Sequence, residues 1–367
     1  MTGRIREWRY WVASSAVLAA VAFSAATDAA FAQDKCSDPR VAKAVEEGEL
    51  IVVSSIFETP ETQKAHLDGF RKYWCLPDSF EIKWDIRNTP GTIARIEAEV
   101  SAGVPISGDV TTMPAITWFM QAVDRGLIMA YESPEYEHMK LPERIGLNNR
   151  PYWTSDMYLF LPMWNSKELP DLQVTSWMDL LKPELKGKMS LLDGSTQQSV
   201  ALAYWFLKPK LPEDYWQKLA EQDVLISSTS LLSVEMMMSG ERPFSILGVS
   251  ADANTLYSQG ATEVRTAVPK EGVMLQEQAT AIFASAPHPN AAQLWVDFLR
   301  SHDGQVIFEY HEGRVPGREG VPSSNPMTPN ADSLGDAAFA PDYRQMATNP
   351  DLVKQAQEEF RALFVNR

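Results

Sequence analysis

The sequence has only two cysteines and five histidines in 367 residues, and this scarcity excludes several kinds of site. No HExxH motif and no Cys–His cluster occurs, so the zinc sites built on those patterns are not expected. We also find no GxSxG motif, no recognisable Ser–His–Asp spacing and no signature of paired catalytic carboxylates. The sequence therefore predicts neither an enzyme nor a bound cofactor or metal.

Positive charge is also scarce. The chain has 33 Lys and Arg residues against 48 Asp and Glu residues, a formal net charge of −15. A protein this acidic is repelled by nucleic acids and by anionic membrane surfaces, and neither is expected as a partner. A small anion stays compatible with this charge, because one local binding site can oppose the field of the whole molecule.

Long apolar runs are absent after the first 32 residues. Near the N-terminus, Arg4, Arg6 and Arg9 precede an apolar stretch at 12–23, and an Ala-Phe-Ala cleavage signal ends at Ala32. This pattern predicts that residues 1–32 are a signal peptide and that the mature protein is periplasmic. The remaining 335 residues exceed the roughly 250–300 at which single cores usually stop growing, which favours two domains.

Both cysteines, Cys36 and Cys75, lie close to the predicted mature N-terminus. In an oxidising compartment, two cysteines indicate one disulfide bond, which would join the N-terminal extension to the end of the first predicted helix. The alternative is two free buried thiols.

Strands and amphipathic helices alternate from residue 50 onward. The predicted strands cover 50–55, 80–86, 109–113, 152–165, 189–192, 244–249 and 263–269. The predicted helices cover 60–74, 92–103, 116–128, 176–187 with a proline stop, 197–207, 252–259, 288–313 as one helix or two, and 350–364. This alternation predicts an α/β protein with a mostly parallel sheet covered on both faces.

Several stretches resemble the extracellular solute-binding proteins of ABC importers, in the group with ferric-iron, phosphonate, thiamine and polyamine binders. The similarity covers roughly residues 48–320. It is carried by DVTTMPAITWFMQAVDRGLI, WNSKELPDLQVTSWMDLLKPELKGKMSLLD, AVPKEG and ATAIFASAPHPNAAQLWVDFLRSHDGQ. The last two stretches together are the most specific.

The resemblance implies a two-lobed periplasmic-binding-protein fold of type II-like topology, with a ligand cleft between lobes joined by crossing strands. Lobe 1 would comprise residues 33–155 and 266–367, and lobe 2 residues 156–265, with crossings near 150–160 and 262–272. Such a protein closes on its solute by a hinge motion. It would be a monomer that delivers the solute to an ABC permease at the inner membrane.

Hydroxyl-rich turns follow several predicted strands, and ligands of open α/β sheets bind beyond the carboxyl ends of strands. This rule predicts the ligand-binding residues Ser54, Ser55, Thr112, Gly194, Ser195, Thr196, Ser250 and Asp252. The turn at Gly194–Thr196 stands directly before a helix, where N–H groups and hydroxyls suit an oxyanion. The alternative is an ordinary N-cap of that helix.

Two further residues carry competing interpretations. Asp252 either pairs with an amino group of the solute or caps the helix at 252–259. Trp153 either stacks on the solute or belongs to the core, and the same two interpretations apply to Tyr158 and Trp164.

Ferric binders of this group use two adjacent tyrosines after the strand that matches 244–249, whereas this chain reads GVSADANTL there and has only Tyr257 nearby.

These features together predict a small anionic or zwitterionic solute, such as an organophosphonate or a phosphate ester. The alternatives are a cationic solute (a polyamine or thiamine) and ferric iron. A receptor that serves a sensor or a chemotaxis protein instead of a permease would have the same fold and cleft.

Overall fold

The computed structural model describes residues 35–139, 152–323, 325–326 and 328–366. The predicted signal peptide, residues 1–32, lies outside this part of the chain and stays a prediction. None of the described helices is both long and apolar enough to cross a membrane.

Within the described residues, ten strands form one mixed sheet. Its main path runs in the order β2-β1-β3-β9-β4-β7-β5-β6, with β10 paired to β9 and β8 paired to β4. The strands are β1 Glu49–Ser54, β2 Glu81–Ile86, β3 Val110–Met113, β4 Tyr152–Asn165, β5 Met189–Leu192, β6 Leu225–Ser227, β7 Phe244–Val249, β8 Val264–Thr266, β9 Val273–Ile282 and β10 Ala338–Phe339.

Helices alternate with the strands along the chain, as the sequence pattern predicts. They are α1 Pro39–Glu47, α2 Pro60–Trp74, α3 Thr89–Ser101, α4 Ile116–Asp124, α5 Gln198–Leu207, α6 Tyr215–Ala220, α7 Ser230–Ser239, α8 Ser250–Ser258, α9 Pro289–Arg300, α10 His302–Glu312, α11 Ala331–Leu334, α12 Tyr343–Thr348 and α13 Leu352–Phe364.

The sheet has two parallel halves that meet at two long antiparallel strands. In one half β1 pairs in parallel with both β2 and β3, and in the other half β5 pairs in parallel with both β6 and β7. Between them, β9 pairs antiparallel with β3 and with β4, and β4 pairs antiparallel with β7. This is the two-lobed α/β arrangement that the resemblance implies, whereas the lobe boundaries stated above stay a prediction.

Some predicted elements differ from the observed ones. The prediction of an α-helix at 176–187 is wrong. Two short 3₁₀ helices, Trp177–Leu181 and Pro183–Leu185, occupy this stretch, because Pro183 cannot continue a helix. The stretch 288–313 is two helices, since Ser301 leaves helical geometry and caps α10 through the N–H of Gly304. The ten-residue strand β9 was not predicted as a strand.

The disulfide bond between Cys36 and Cys75 is confirmed, with the two Cα atoms 5.4 Å apart. It joins the segment before α1 to the C-terminal end of α2. Nearby, Arg40 of α1 donates to Asp297 of α9 at 2.9 Å, and the Tyr131 hydroxyl donates to the same carboxylate. These contacts tie the N-terminal segment to the helices that cover lobe 1.

Candidate functional site

The lobe 1 residues Ser54 and Thr112 lie together at the carboxyl ends of β1 and β3. The Ser54 hydroxyl donates to the carbonyl oxygen of Thr112 at 2.8 Å and accepts from the N–H of Ile56 at 3.0 Å. The Thr112 hydroxyl is 2.9 Å from that of Thr280 on β9. All three hydroxyl-bearing residues are fully buried, so in this conformation they shape the edge of the sheet.

Ser55 is the accessible member of this group. It is half-buried, and its hydroxyl accepts a hydrogen bond from the hydroxyl of Thr89 at 3.0 Å. Thr89 is the first residue of α3, so this hydroxyl pair stands at a helix N-terminus. Trp153 is located by its backbone, which lies opposite Thr280 in the pairing of β4 with β9. The structure thus places Ser54, Ser55 and Thr112 together at the carboxyl ends of β1 and β3. Trp153 lies on β4, two strands away from Thr112 in the sheet.

In lobe 2, the turn at 193–196 leads from β5 into α5. The N–H of Asp193 extends the parallel pairing by donating to the carbonyl of Ser227 at 2.9 Å. The Asp193 carboxylate then accepts from the N–H of Ser195 at 2.8 Å, and its carbonyl accepts from the N–H of Gln197 at 2.9 Å. Asp193 therefore closes the turn upon itself and takes the Ser195 N–H that an anion would otherwise use.

Donors nevertheless remain on the outer side of this turn. Among the described residues, no side chain caps the N-terminus of α5, which begins at Gln198. Thr196 and Gln198 are exposed, while Gly194 and Ser195 are buried. Within the described part of the chain, the Thr196 hydroxyl makes a single long bond, of 3.3 Å, to the carbonyl of Asp193. The exposed Thr196 hydroxyl therefore stands beside a helix start that no described side chain caps, at the positive end of the helix dipole.

Ser250 and Asp252, at the carboxyl end of β7, are engaged within the protein. The Ser250 hydroxyl is fully buried and accepts from the N–H of Leu159 at 2.9 Å. The Asp252 carboxylate accepts from the hydroxyl of Ser230 on α7. Burial raises the pKa of Asp252, and the Ser230 hydrogen bond and the positive charge of Arg314 partly offset this effect.

The space beside Asp252 is too small for a solute. The cavity there has a volume of about 10 Å³ and is lined by Ser230, Ser233, Ser245 and Gly248 among others. That is at most the room for one water molecule. Asp252 therefore bridges α7 and α8 in this conformation.

A larger cavity lies away from the predicted residues. Its volume is about 440 Å³, and it lies at the C-terminal end of α5 against α12, lined by Trp205, Phe206, Lys208, Pro209, Leu211, Glu213 and Gln345. From the rise per residue, this end is roughly 12 Å from the first turn of α5. The walls are mainly apolar, which does not suit a small polar solute.

Two residues of the C-terminal helix contact the predicted turn, and the sequence did not indicate them. The guanidinium of Arg361 donates to the carbonyl oxygen of Ser195 at 3.2 Å. The ring of Phe360 covers Gly194 so closely that an added Cβ atom would lie 2.7 Å from it. Thr89 and Thr280 were also missed, although their hydroxyls lie within hydrogen-bond distance of those of Ser55 and Thr112. No local pattern marks contacts between such distant segments.

A two-lobed α/β fold with hydroxyl-bearing turns and helix N-termini at the carboxyl ends of its strands is typical of periplasmic solute-binding proteins. Residues 85–311, more than half of the chain, match the family described as "Bacterial extracellular solute-binding protein". The chain belongs to this family, and it is a solute-binding component of an ABC transporter.

Solved structures of low sequence identity share the fold. The periplasmic binding protein AfuA from Actinobacillus pleuropneumoniae, with exogenous fructose-6-phosphate bound, is 19% identical with a TM-score of 0.64, covering 87% of this chain and 99% of its own. The apo ferric ion-binding protein A of Pasteurella haemolytica is 16% identical with a TM-score of 0.65, covering 87% and 100%. An ABC transporter protein from Clostridium perfringens is 17% identical with a TM-score of 0.66, covering 86% and 99%.

No curated protein matches the chain in sequence. The family and these neighbours are transport-binding proteins rather than enzymes. One of these neighbours is a ferric ion-binding protein and another has a sugar phosphate bound, so the fold alone leaves the solute of this chain open. Among the described residues, no three His, Cys, Asp or Glu side chains are grouped closely enough to hold a metal ion.

Proposed function

We propose that the protein captures a small anionic or zwitterionic organic solute with a phosphate-like or phosphonate-like group, between lobe 1 (33–155 and 266–367) and lobe 2 (156–265). The observation that carries this proposal is the uncapped start of α5 beside the exposed Thr196 hydroxyl. An oxyanion is the group that such donors bind best, because the helix dipole and the N–H groups favour negative charge at the same point.

Two further observations favour an anion over the alternatives. Asp252, the residue that would hold the amino group of a cation, already bonds to Ser230 beside a cavity of about 10 Å³. The stretch after β7, residues 250–254, contains no tyrosine pair of the kind expected for ferric iron. The structural neighbour AfuA has fructose-6-phosphate bound, so a phosphate ester is also compatible with this fold.

Closure on the solute would bring the lobe 1 hydroxyls of Ser55 and Thr89 toward the same ligand. Both are half-buried and stand at the carboxyl edge of the lobe 1 sheet. Ser54 and Thr112 hold this edge in place through their buried hydrogen bond. The solute shifts the equilibrium toward the closed form only through contacts that the open form lacks. Hydroxyls from both lobes are therefore needed to drive closure.

The proposal predicts that a phosphate-like anion raises the melting temperature of the chain from residue 33 onward. The panel would contain phosphonates, sugar phosphates, carboxylates, polyamines, thiamine and ferric citrate. A ligand at 100 times its dissociation constant adds about 2.7 kcal/mol to the free energy of unfolding, which is readily measured. If only polyamines or thiamine shift the melting temperature, the anion proposal is wrong.

The location of the site is tested by Thr196→Val, which removes the hydroxyl but keeps the shape of the side chain. We expect the affinity for the anion to fall about tenfold, because a hydrogen bond to a charged group is lost. The matched control is Thr348→Val on α12, another exposed threonine whose hydroxyl donates to a backbone carbonyl. Equal affinities of Thr196→Val and wild type would place the anion elsewhere.

A further inference from the structure

The C-terminal tail follows the segment that matches the family and runs from the central strand β9 to the turn at 193–196. Strand β10 pairs in parallel with β9, with Ala338 opposite Val273 and Phe339 opposite Met274. Four residues after Phe339, the Tyr343 hydroxyl donates to the buried carboxylate of Glu277 on β9. One end of the tail is therefore held on a strand that joins the two halves of the sheet.

The other end of the tail packs on lobe 2. Helix α13 lies against α5, and Lys208 at the end of α5 forms an ion pair with Glu359. The ring of Phe360 is fully buried and meets the ring of Tyr204 edge-on, with centroids 5.8 Å apart. Helix α13 is thus fixed on α5 by an aromatic contact and a neighbouring ion pair, both in its C-terminal half.

The same helix contacts the turn directly. An ideal Cβ atom at Gly194 would lie 2.7, 2.9 and 3.0 Å from three ring carbons of Phe360, so only glycine allows this approach. On the next residue, the exposed Arg361 donates to the carbonyl oxygen of Ser195 at 3.2 Å. Together with the bonds from Asp193, these contacts restrain the turn on two sides and leave Thr196 pointing outward, where it is exposed.

We propose that Phe360 and Arg361 are positioning residues for the solute site, so that the tail is part of the binding machinery of this chain. The inference rests on the proposed function of the turn. Without these contacts the Ser195 carbonyl loses its partner and the turn gains alternative conformations. Ordering it again on binding costs free energy, and the affinity for the solute falls.

Local order of the turn is measured by amide hydrogen exchange on the chain from residue 33 onward, with no ligand present. We expect amide exchange in 193–200 to become about tenfold faster in Arg361→Ala, because the hydrogen bond from Arg361 to the Ser195 carbonyl is lost. Arg361→Lys should recover part of the protection. The matched control is Lys354→Ala on the same helix, where the exposed ion pair with Glu358 is removed and the turn should exchange as in wild type.

A double-mutant cycle tests Phe360 without depending on whether one variant is less stable. In the wild-type background, Gly194→Ala should accelerate exchange in the turn, because the methyl group displaces the ring. In the Phe360→Ala background the same substitution should change the exchange little, because the space is open. Equal effects of Gly194→Ala in both backgrounds would overturn the role of Phe360, and wild-type exchange in Arg361→Ala would overturn the role of Arg361.

Titration with inorganic phosphate separates this inference from the proposed function. If wild type binds phosphate, Arg361→Ala should bind it five- to tenfold more weakly at an unchanged melting temperature, and Lys354→Ala should bind it normally. Faster exchange of the turn with unchanged phosphate affinity would overturn the positioning role. If wild type binds no anion, the proposed function fails, and with it the role in solute binding. The exchange measurements then still decide whether the tail orders the turn.

Discussion

Replacing Glu277 with glutamine is expected to stabilise the protein at neutral and alkaline pH. Glu277 lies on β9, is fully buried, and accepts a hydrogen bond from Tyr343 through one carboxylate oxygen. Its other oxygen has no hydrogen-bond partner within the described part of the chain. Burial raises the pKa of Glu277 to about 8, an effect that the Tyr343 hydrogen bond partly offsets.

The direction of the pH dependence follows from this raised pKa. The ordinary value of 4.5 applies to the unfolded chain, so between pH 4.5 and about 8 the folded state holds a proton that the unfolded state releases. The free energy of unfolding therefore falls as the pH rises through this window. At pH 7 the cost is about 3 kcal/mol, from 1.36 kcal/mol per pH unit.

Glutamine removes this cost because it carries no ionisable group. We expect Glu277→Gln to melt several degrees above wild type at pH 8 and within about 2 °C of it at pH 5. The control is Glu221→Gln at an exposed position on the end of α6, which should show no such difference. A gain of equal size at both pH values would show that ionisation of Glu277 is not its source.

Reduction of the disulfide bond between Cys36 and Cys75 is expected to lower the free energy of unfolding by about 4 kcal/mol. The bond closes a loop with a sequence separation of 39, and the value is the loop-closure entropy of the unfolded chain. In the folded protein, the ion pair between Arg40 and Asp297 still holds α1 on α9 after reduction. Most of the loss therefore comes from the greater freedom of the unfolded chain.

The measurement is denaturant unfolding with and without a thiol reductant. The variant that carries both Cys36→Ser and Cys75→Ser should unfold like reduced wild type and should not respond to the reductant. Oxidised and reduced wild type with the same unfolding midpoint would contradict this prediction.

The fold of lobe 1 was largely predictable from residues 50–128. Strands β1 and β3 and helices α2 and α4 lie close to their predicted ranges, because buried apolar runs and amphipathic periods are local features of the chain. The stretch 176–187 was mispredicted because its apolar spacing resembles a helix, whereas Pro183 limits it to short 3₁₀ turns. Strand β9 was missed because VMLQEQATAI has polar residues that become buried only when neighbouring strands and the tail cover them.

In the candidate site, too, local features were predictable from the sequence, whereas features that depend on distant segments were not. The turn at 193–196 was predictable, since a buried strand that ends in Asp-Gly-Ser-Thr before a helix is a local pattern. The accessibility of its residues was not predictable. Thr196 is exposed, while Ser195 and Gly194 are buried, and the ring of Phe360 on α13 covers Gly194. Likewise, the sequence assigns Asp252 either to an amino group of the solute or to the cap of its helix, whereas in the structure it bonds to Ser230 on another helix.

The sequence by itself determined the family, the alternation of strands and helices, and the hydroxyl-rich ends of the strands, because each depends on neighbouring residues. Only the tertiary structure decided which distant segments meet. The hydrogen bond from Arg361 to Ser195 spans 166 positions, and that from Tyr343 to Glu277 spans 66. Such contacts follow from how the whole core packs, and no short stretch of sequence records them.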